Sequence, residues 1–198
     1  MRPESKGEAT YADLVALPAN QLGQIIAGEL ITSPRPASDH FNANFALGGE
    51  LYGPFHRGRG GPGGWWIAFE PELHLGKDVL VPDIAGWRRT RLPTMPRVPY
   101  LTLAPDWVCE VLSPSTAGLD RVRKKHIYAR EGVEYVWLVD PVGRTLEVFQ
   151  LHDGRWLELG SWSGNERVRA APFDAIELEL EVLWLPEPPP ESGGAEQP

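Results

Sequence analysis

The chain has 198 residues, 42% hydrophobic and 23% charged, with a formal net charge of −8. This length accommodates one domain with a sizeable core, and the single cysteine, Cys109, excludes a disulfide framework or a cysteine-built zinc site. The acidic balance speaks against a non-specific nucleic-acid binder; with no apolar leader and no run of ~20 apolar residues, a cytoplasmic protein that stays out of membranes is expected.

The 21 glycines and 20 prolines predict many turns in a β-rich frame. A flexible start over residues 1–9 precedes a single expected domain over 10–185, and a disordered Pro/Glu-rich tail follows over 186–198. Thr10 reads as an N-cap, with Asp13 in the first turn of a short helix that Pro18 ends. Residues 24–26 and 30–32 flank Ala27-Gly28-Glu29 and predict a hairpin, broken by Ser33-Pro34. Ser38 or Asp39 caps the next helix. Its Phe41, Phe45, Gly48 and Tyr52 fall at helical spacing, an aromatic stripe expected to face the core. Residues 58–64 form a glycine loop; no helix and no G-K-[S/T] follows, so it does not cradle phosphate. Residues 65–75 and 79–87 read as two strands joined at Gly76-Lys77-Asp78, and 90–105 as a surface connection.

On the strand expected at 107–112, Val108, Glu110 and Leu112 point one way and Trp107, Cys109 and Val111 the other. Ser113-Pro114-Ser115-Thr116 closes it and caps a helix running to Gly132. There Asp120, Lys124 and Tyr128 share one face at i, i+4, i+8, with Arg121, Lys125 and Ala129 on the next. Residues 135–139 form a nearly all-apolar strand. A β-meander through Trp156 and Trp162 follows, and 176–185 alternate apolar and acidic residues as a last half-exposed strand.

Two carboxylates stand in apolar strand runs: Asp83 in V-P-D-I-A-G-W (81–87) and Glu110 in W-V-C-E-V-L (107–112). A buried carboxylate is costly unless it is paired or holds a metal. On neighbouring strands, with Lys124 and Lys125 on the following helix, this pair suits a Mg²⁺-dependent phosphodiesterase: oxygen ligands for a hard cation, and a positive group for water or phosphate. Plainer readings stand beside it. Asp83 after Pro82 is also the pattern of a turn aspartate capping a backbone N–H. Glu110 has Arg88, Lys124 and Lys125 as ion-pair candidates, and Lys124 has Asp120 on a solvated helix face. Tyr128 is placed to pack or hydrogen-bond near Asp120. The five histidines lack H-E-x-x-H spacing, and Ser113 and Ser115 lack G-x-S-x-G, against a zinc or serine hydrolase. Residues 86–130 hold nine Lys/Arg against three acids, which is either a solvated face or a nucleic-acid contact.

The order G-E-L (28–30), S-P (33–34), His40, P-D (82–83), E-V-L-S-P-S-T (110–116), D-x3-K-x3-Y (Asp120, Lys124, Tyr128), G-V (132–133) and W-L-V-D-P (137–141) resembles the Uma-two family of restriction-endonuclease-like proteins, within the PD-(D/E)XK nuclease superfamily. The match runs from about Tyr11 to about Leu159, most of the chain. The resemblance implies an α/β (α+β) fold of the restriction-endonuclease type, a mixed β-sheet flanked by helices with the metal site at a strand pair. It implies Asp83 and Glu110 as the catalytic acids that hold Mg²⁺ or Mn²⁺. The superfamily's usual lysine, two residues after the second acid, is here Leu112. The family resemblance moves that role to the next helix, making Lys124 the catalytic candidate and Lys125 its reserve, with Asp120 and Tyr128 in support. An acid common on the family's first hairpin corresponds to Gln24, and Glu72 is a further outer-shell candidate.

The expectation is a Mg²⁺-dependent endonuclease that hydrolyses DNA and meets its backbone through Arg88, Arg89, Arg91, Arg121 and Arg123. Cutting both strands of a duplex calls for two sites, hence a homodimer, with the strand surface around 176–185 as one candidate interface. The rival is a catalytically inactive nuclease-fold module that binds or regulates protein or nucleic acid. Leu112 and the acidic balance favour the rival; two costly acids kept in apolar strands oppose it.

Overall fold

Two larger sheets and a short two-stranded one organise the chain in a computed structural model that describes residues 8–18, 21–33, 37–114 and 117–186. The expected flexible start up to residue 7, Pro34, the Ser115-Thr116 cap and the tail from 187 lie outside the described residues. Helix α1 (Tyr11–Val15) opens with a capping box, in which Thr10 and Asp13 each accept the other's backbone N–H. Strands β1 (Leu22–Ile26) and β2 (Glu29–Ser33) form the expected hairpin, and its turn holds Ala27 and Gly28 at φ 52° and 79°. Helix α2 (Ser38–Leu51) follows and runs into a π-helical turn, Tyr52–His56. Its N-cap is Ala37, without a side-chain bond, rather than Ser38 or Asp39.

The two long strands expected at 65–75 and 79–87 are each broken, giving β3 (Trp65–Phe69), β4 (Leu73–Leu75), β5 (Asp78–Leu80) and β6 (Ile84–Arg88). Glu70, at φ 43°, and Pro71 turn the chain out of β3; Pro82, which has no N–H to donate, separates β5 from β6. The inner halves, β4 and β5, join the hairpin in a four-stranded sheet ordered β2-β1-β5-β4. The outer halves stay with β7 (Trp107–Val111) and with the meander of β8 (Tyr135–Asp140), β9 (Thr145–His152) and β10 (Arg155–Ser163). That six-stranded sheet runs β10-β9-β8-β7-β6-β3, antiparallel except for the parallel pair β7–β8. The crossover between β7 and β8 carries a π-helical segment, Leu119–Lys124, which continues into α3 (Lys125–Arg130). The result is a mixed α/β architecture in which helices cover both faces of a mixed sheet.

The alternation along β7 assigns its two faces. Trp107, Cys109 and Val111 join one core cluster with Ala43, Leu47 and Leu51 of α2 and with Phe173. Val108 and Leu112 join the other, with Ile127 and Tyr128 of α3 and with Ile26, Leu73 and Leu80 of the smaller sheet. Glu110 therefore projects toward α3. The aromatic stripe of α2 does not face the core: Phe41 is 59% exposed and Phe45 78%. Trp107 and Trp137 already fill the sheet surface beneath the helix, which presents its smaller side, Ala43, Leu47 and Leu51, roughly 140° around at 100° per residue.

The C-terminal segment also departs from its pattern. Only β12 (Leu178–Glu179) is extended, paired with β11 (Arg167–Val168), and Leu180–Leu183 is a 3-10 turn. Leu178, Leu180 and Leu183 are buried in the chain's own core, and Asn42 Nδ2 donates to the Leu183 carbonyl at 3.1 Å. The apolar side of this segment is thus spent internally. No described helix is long and apolar enough to cross a membrane.

Candidate active site

Register brings the two strand acids together. Ile84 pairs with Cys109 and Ala85 with Val108 in antiparallel β6–β7, so one further step sets Asp83 opposite Glu110. Asp83 Oδ2 accepts the Val111 N–H at 2.7 Å, which closes the end of the ladder. Its other oxygen, Oδ1, lies 3.2 Å from His40 Nε2 in the first turn of α2. Glu110, 1% exposed, is held from the opposite side: Lys124 Nζ donates to Oε2 at 2.9 Å and Tyr128 Oη donates to Oε1. Asp120 Oδ1 lies 2.9 Å from the same Nζ, an ionic contact whose angle makes no hydrogen bond. Asp120, Lys124 and Tyr128 do share one helix face, and that face is buried rather than solvated.

Three carboxylates thus surround one lysine. Burial pushes the Glu110 carboxyl up to about 8, Lys124 opposes that rise, and Asp120 and Asp83 add to it. Desolvation pulls Lys124 down, but Glu110, Asp120 and Asp83 together hold its ammonium above the ordinary range, so it is a cation at neutral pH. His40 behaves similarly: desolvation lowers it, and the hydrogen bond and charge of Asp83 carry it above its usual value. His40 Nδ1 is buried without a partner among the described residues.

The chain matches the family model Uma2, described as "Putative restriction endonuclease", over residues 11–182. It belongs to this family. Four chains of solved structures match it. One is "a putative nuclease belonging to DUF820" from Anabaena variabilis ATCC 29413, at a TM-score of 0.71 and 21% identity, covering 88% of this chain and 97% of that one. At that identity the likeness shows the fold alone. No curated protein matches.

Within this Uma2 chain the remaining expected residues separate into groups. Gln24 Oε1 accepts the Val81 N–H at 3.0 Å, bracing the backbone two residues before Asp83. Lys125 turns away and places its ammonium 3.3 Å from the Phe149 ring centroid. Glu72 belongs to another cluster, 2.7 Å from His74 Nε2. The five arginines are all tied within the chain. Arg88 binds Asp106 and Glu134; Arg89 donates to the Trp65 and His56 carbonyls; Arg91 binds Asp106 and the Ala104 carbonyl. Arg121 holds Glu147 through two hydrogen bonds, and Arg123 reaches Glu29 and the Ile26 carbonyl. Sequence reasoning noted His40 only as part of the motif. Its position in the first turn after the Ser-Pro break was the available signal.

Among the described residues no three His, Cys, Asp or Glu side chains form a ready-made metal cluster. Mg²⁺ does not need one, since it is commonly held by one or two carboxylates plus water and substrate phosphate. The all-oxygen donors Asp83 and Glu110, and a surplus of carboxylates over cations, fit such an ion. A divalent charge there would return Glu110 to its carboxylate form.

Proposed function

We propose that this Uma2 chain is a Mg²⁺-dependent endonuclease hydrolysing DNA phosphodiester bonds, with Mn²⁺ as an alternative ion. The supporting observation is the convergence of Asp83, Glu110 and Lys124: the register sets the two acids opposite each other, and the helix lysine donates to Glu110. Asp83 and Glu110 would hold the ion, which when bound polarises the phosphate and lowers the pKa of a coordinated water. The Val111 N–H and His40 orient Asp83; Tyr128 and Lys124 orient Glu110. Lys124, charged and enclosed, is no general base. It positions Glu110 and supplies positive charge where phosphate charge grows. Asp120 keeps Lys124 in place, and Lys125 is too far engaged with Phe149 to replace it.

One observation favours the rival, an inactive nuclease-fold module: five arginines suited to a DNA backbone are committed internally. The deciding experiment titrates Mg²⁺ and Mn²⁺ calorimetrically into wild type, Asp83→Asn and Glu110→Gln, then incubates each with supercoiled plasmid. Metal binding and nicking by wild type alone support the enzyme. Nicking that survives Glu110→Gln, or a wild type that binds no metal, sinks it. Duplex cleavage further requires two such sites, and sedimentation of the active species would show whether they come from a homodimer.

A further inference from the structure

The sequence-expected core stripe of α2 is exposed, and it starts at the active site. Phe41 follows His40, whose ring contacts Asp83; Phe69 precedes Glu70, whose N–H donates to the Asp83 carbonyl at 3.0 Å. From Phe41 the stripe continues through Phe45, 78% exposed, to the half-exposed Tyr52, about 16 Å along at 1.5 Å per residue. The Phe69 ring lies on Gly48 of the same helix: a Cβ there would fall 1.9 Å from its Cζ, so only glycine admits it. That ring, also partly exposed, widens the stripe at its middle.

At its far end the stripe meets a loop of defined shape. Arg57 and Arg59 donate backbone N–H groups to the Tyr52 and Gly53 carbonyls, and Gly63 donates to Pro54. Both arginine side chains are exposed, and among the described residues no carboxylate pairs with either. They differ in this from the five arginines bound up elsewhere. The exposed acids of α2, Asp39 and Glu50, sit roughly 150° around the helix from the stripe. Flat apolar rings in a row, free cations at one end and the carboxylate site at the other, where the exposed Glu70 follows Phe69, are complementary to a single strand of nucleic acid that runs from the arginines to the site. Bases stack on such rings whatever their sequence, and phosphates meet the arginines.

We propose that the outer face of α2 is a single-strand track: Phe41, Phe45, Tyr52 and Phe69 stack unpaired bases, and Arg57 and Arg59 take the backbone. The track delivers a strand to Asp83 and Glu110 and so rests on the nuclease reading. It also explains how an acidic protein holds its substrate.

Fluorescence anisotropy of a labelled thymidine oligonucleotide, measured with the full chain in metal-free buffer, tests it. Wild type should bind the oligonucleotide. Phe45→Ser should weaken binding about tenfold, and the double variant Phe41→Ser/Phe45→Ser further. Phe45→Leu keeps the apolar surface but not the ring, and should bind like Phe45→Ser. Arg57→Gln/Arg59→Gln should reduce the salt slope by about 1.4, at roughly 0.7 for each phosphate no longer neutralised. Circular dichroism melts confirm folding at these exposed positions. The track is overturned if wild type binds no single strand, or if the stripe variants bind as well as wild type. It is equally overturned if wild type is a dimer that Phe45→Ser makes monomeric with oligonucleotide affinity unchanged, since the stripe is then a contact between copies. Binding without metal-dependent cleavage keeps the track and removes the nuclease reading; plasmid cleavage without single-strand binding does the reverse.

Discussion

Asp106 and Glu110 stand four residues apart, both buried, and the chain treats them in opposite ways. Asp106 Oδ2 accepts the Arg88 N–H at 2.8 Å, and Oδ1 contacts the guanidinium groups of both Arg88 and Arg91, each partly exposed. Two surface-anchored cations thus serve one acid. At Glu110 the ratio reverses: one lysine, 4% exposed, serves Glu110 and Asp120 with Asp83 alongside. Burial alone does not mark a functional acid. A deficit of cations does, because an uncompensated cluster is tolerated only where something else, such as an ion or a reaction, uses it.

The largest difference should appear on removing a cation from each neighbourhood. Lys124→Ala leaves two buried carboxylates without their partner and should cost about 3–5 kcal/mol in urea unfolding, with loss of metal-dependent nicking. Arg91→Ala leaves Asp106 with Arg88 and a backbone N–H and should cost about 1 kcal/mol. Equal losses would erase the distinction.

Titration sharpens the contrast. The folded value for Glu110, about 8, exceeds its ordinary value of 4.5. Its stabilising contribution is therefore complete below pH 4.5 and is lost as pH rises to about 8. Metal-free protein should lose stability across that window, and Glu110→Gln should flatten the profile; an unchanged slope in the variant would assign it to another group. Added Mg²⁺ should raise the melting temperature more at the alkaline end, where it no longer competes with a proton.

A smaller effect is expected from Gln24→Ala, which strands the Val81 N–H. A loss of about 1–2 kcal/mol in stability is expected, and a larger fractional fall in nicking would show that the brace serves Asp83. Smallest of all, Phe45→Ser should change stability by less than about 0.5 kcal/mol, since its ring packs on little. A loss of core size would return the stripe to the interior.

Much of the local structure was legible from local chemistry. The Thr10 N-cap with Asp13 in the first turn, the 24–32 hairpin and the alternation of 107–112 depend on neighbours a few residues away, and each is found as expected. The plain readings of the site had the right partners, although the Asp120–Lys124 face is buried and not solvated. Asp83 does cap a backbone N–H, and Glu110 and Asp120 both contact Lys124. These readings and the functional one describe the same atoms, since a site must be held before it can act. The breaks in 65–75 and 79–87 were signalled by Pro71 and Pro82, but which halves would pair with which sheet was not. The stripe misled because helical periodicity identifies an apolar face without saying what lies opposite it.

The sequence by itself determined the family, the mixed α/β class and the two acids, because strand alternation, turn residues and a charged residue in an apolar run are properties of short segments. Tertiary structure decided the rest. It set Asp83 across from Glu110 through the β6–β7 register, brought Lys124, Tyr128 and His40 in from two different helices, and tied five arginines to partners mostly far along the chain. It also turned Phe41 and Phe45 outward. The physical reason is common to all four. Each depends on which distant surface meets a given face, and that is settled only when the core clusters close and the buried charges must find partners.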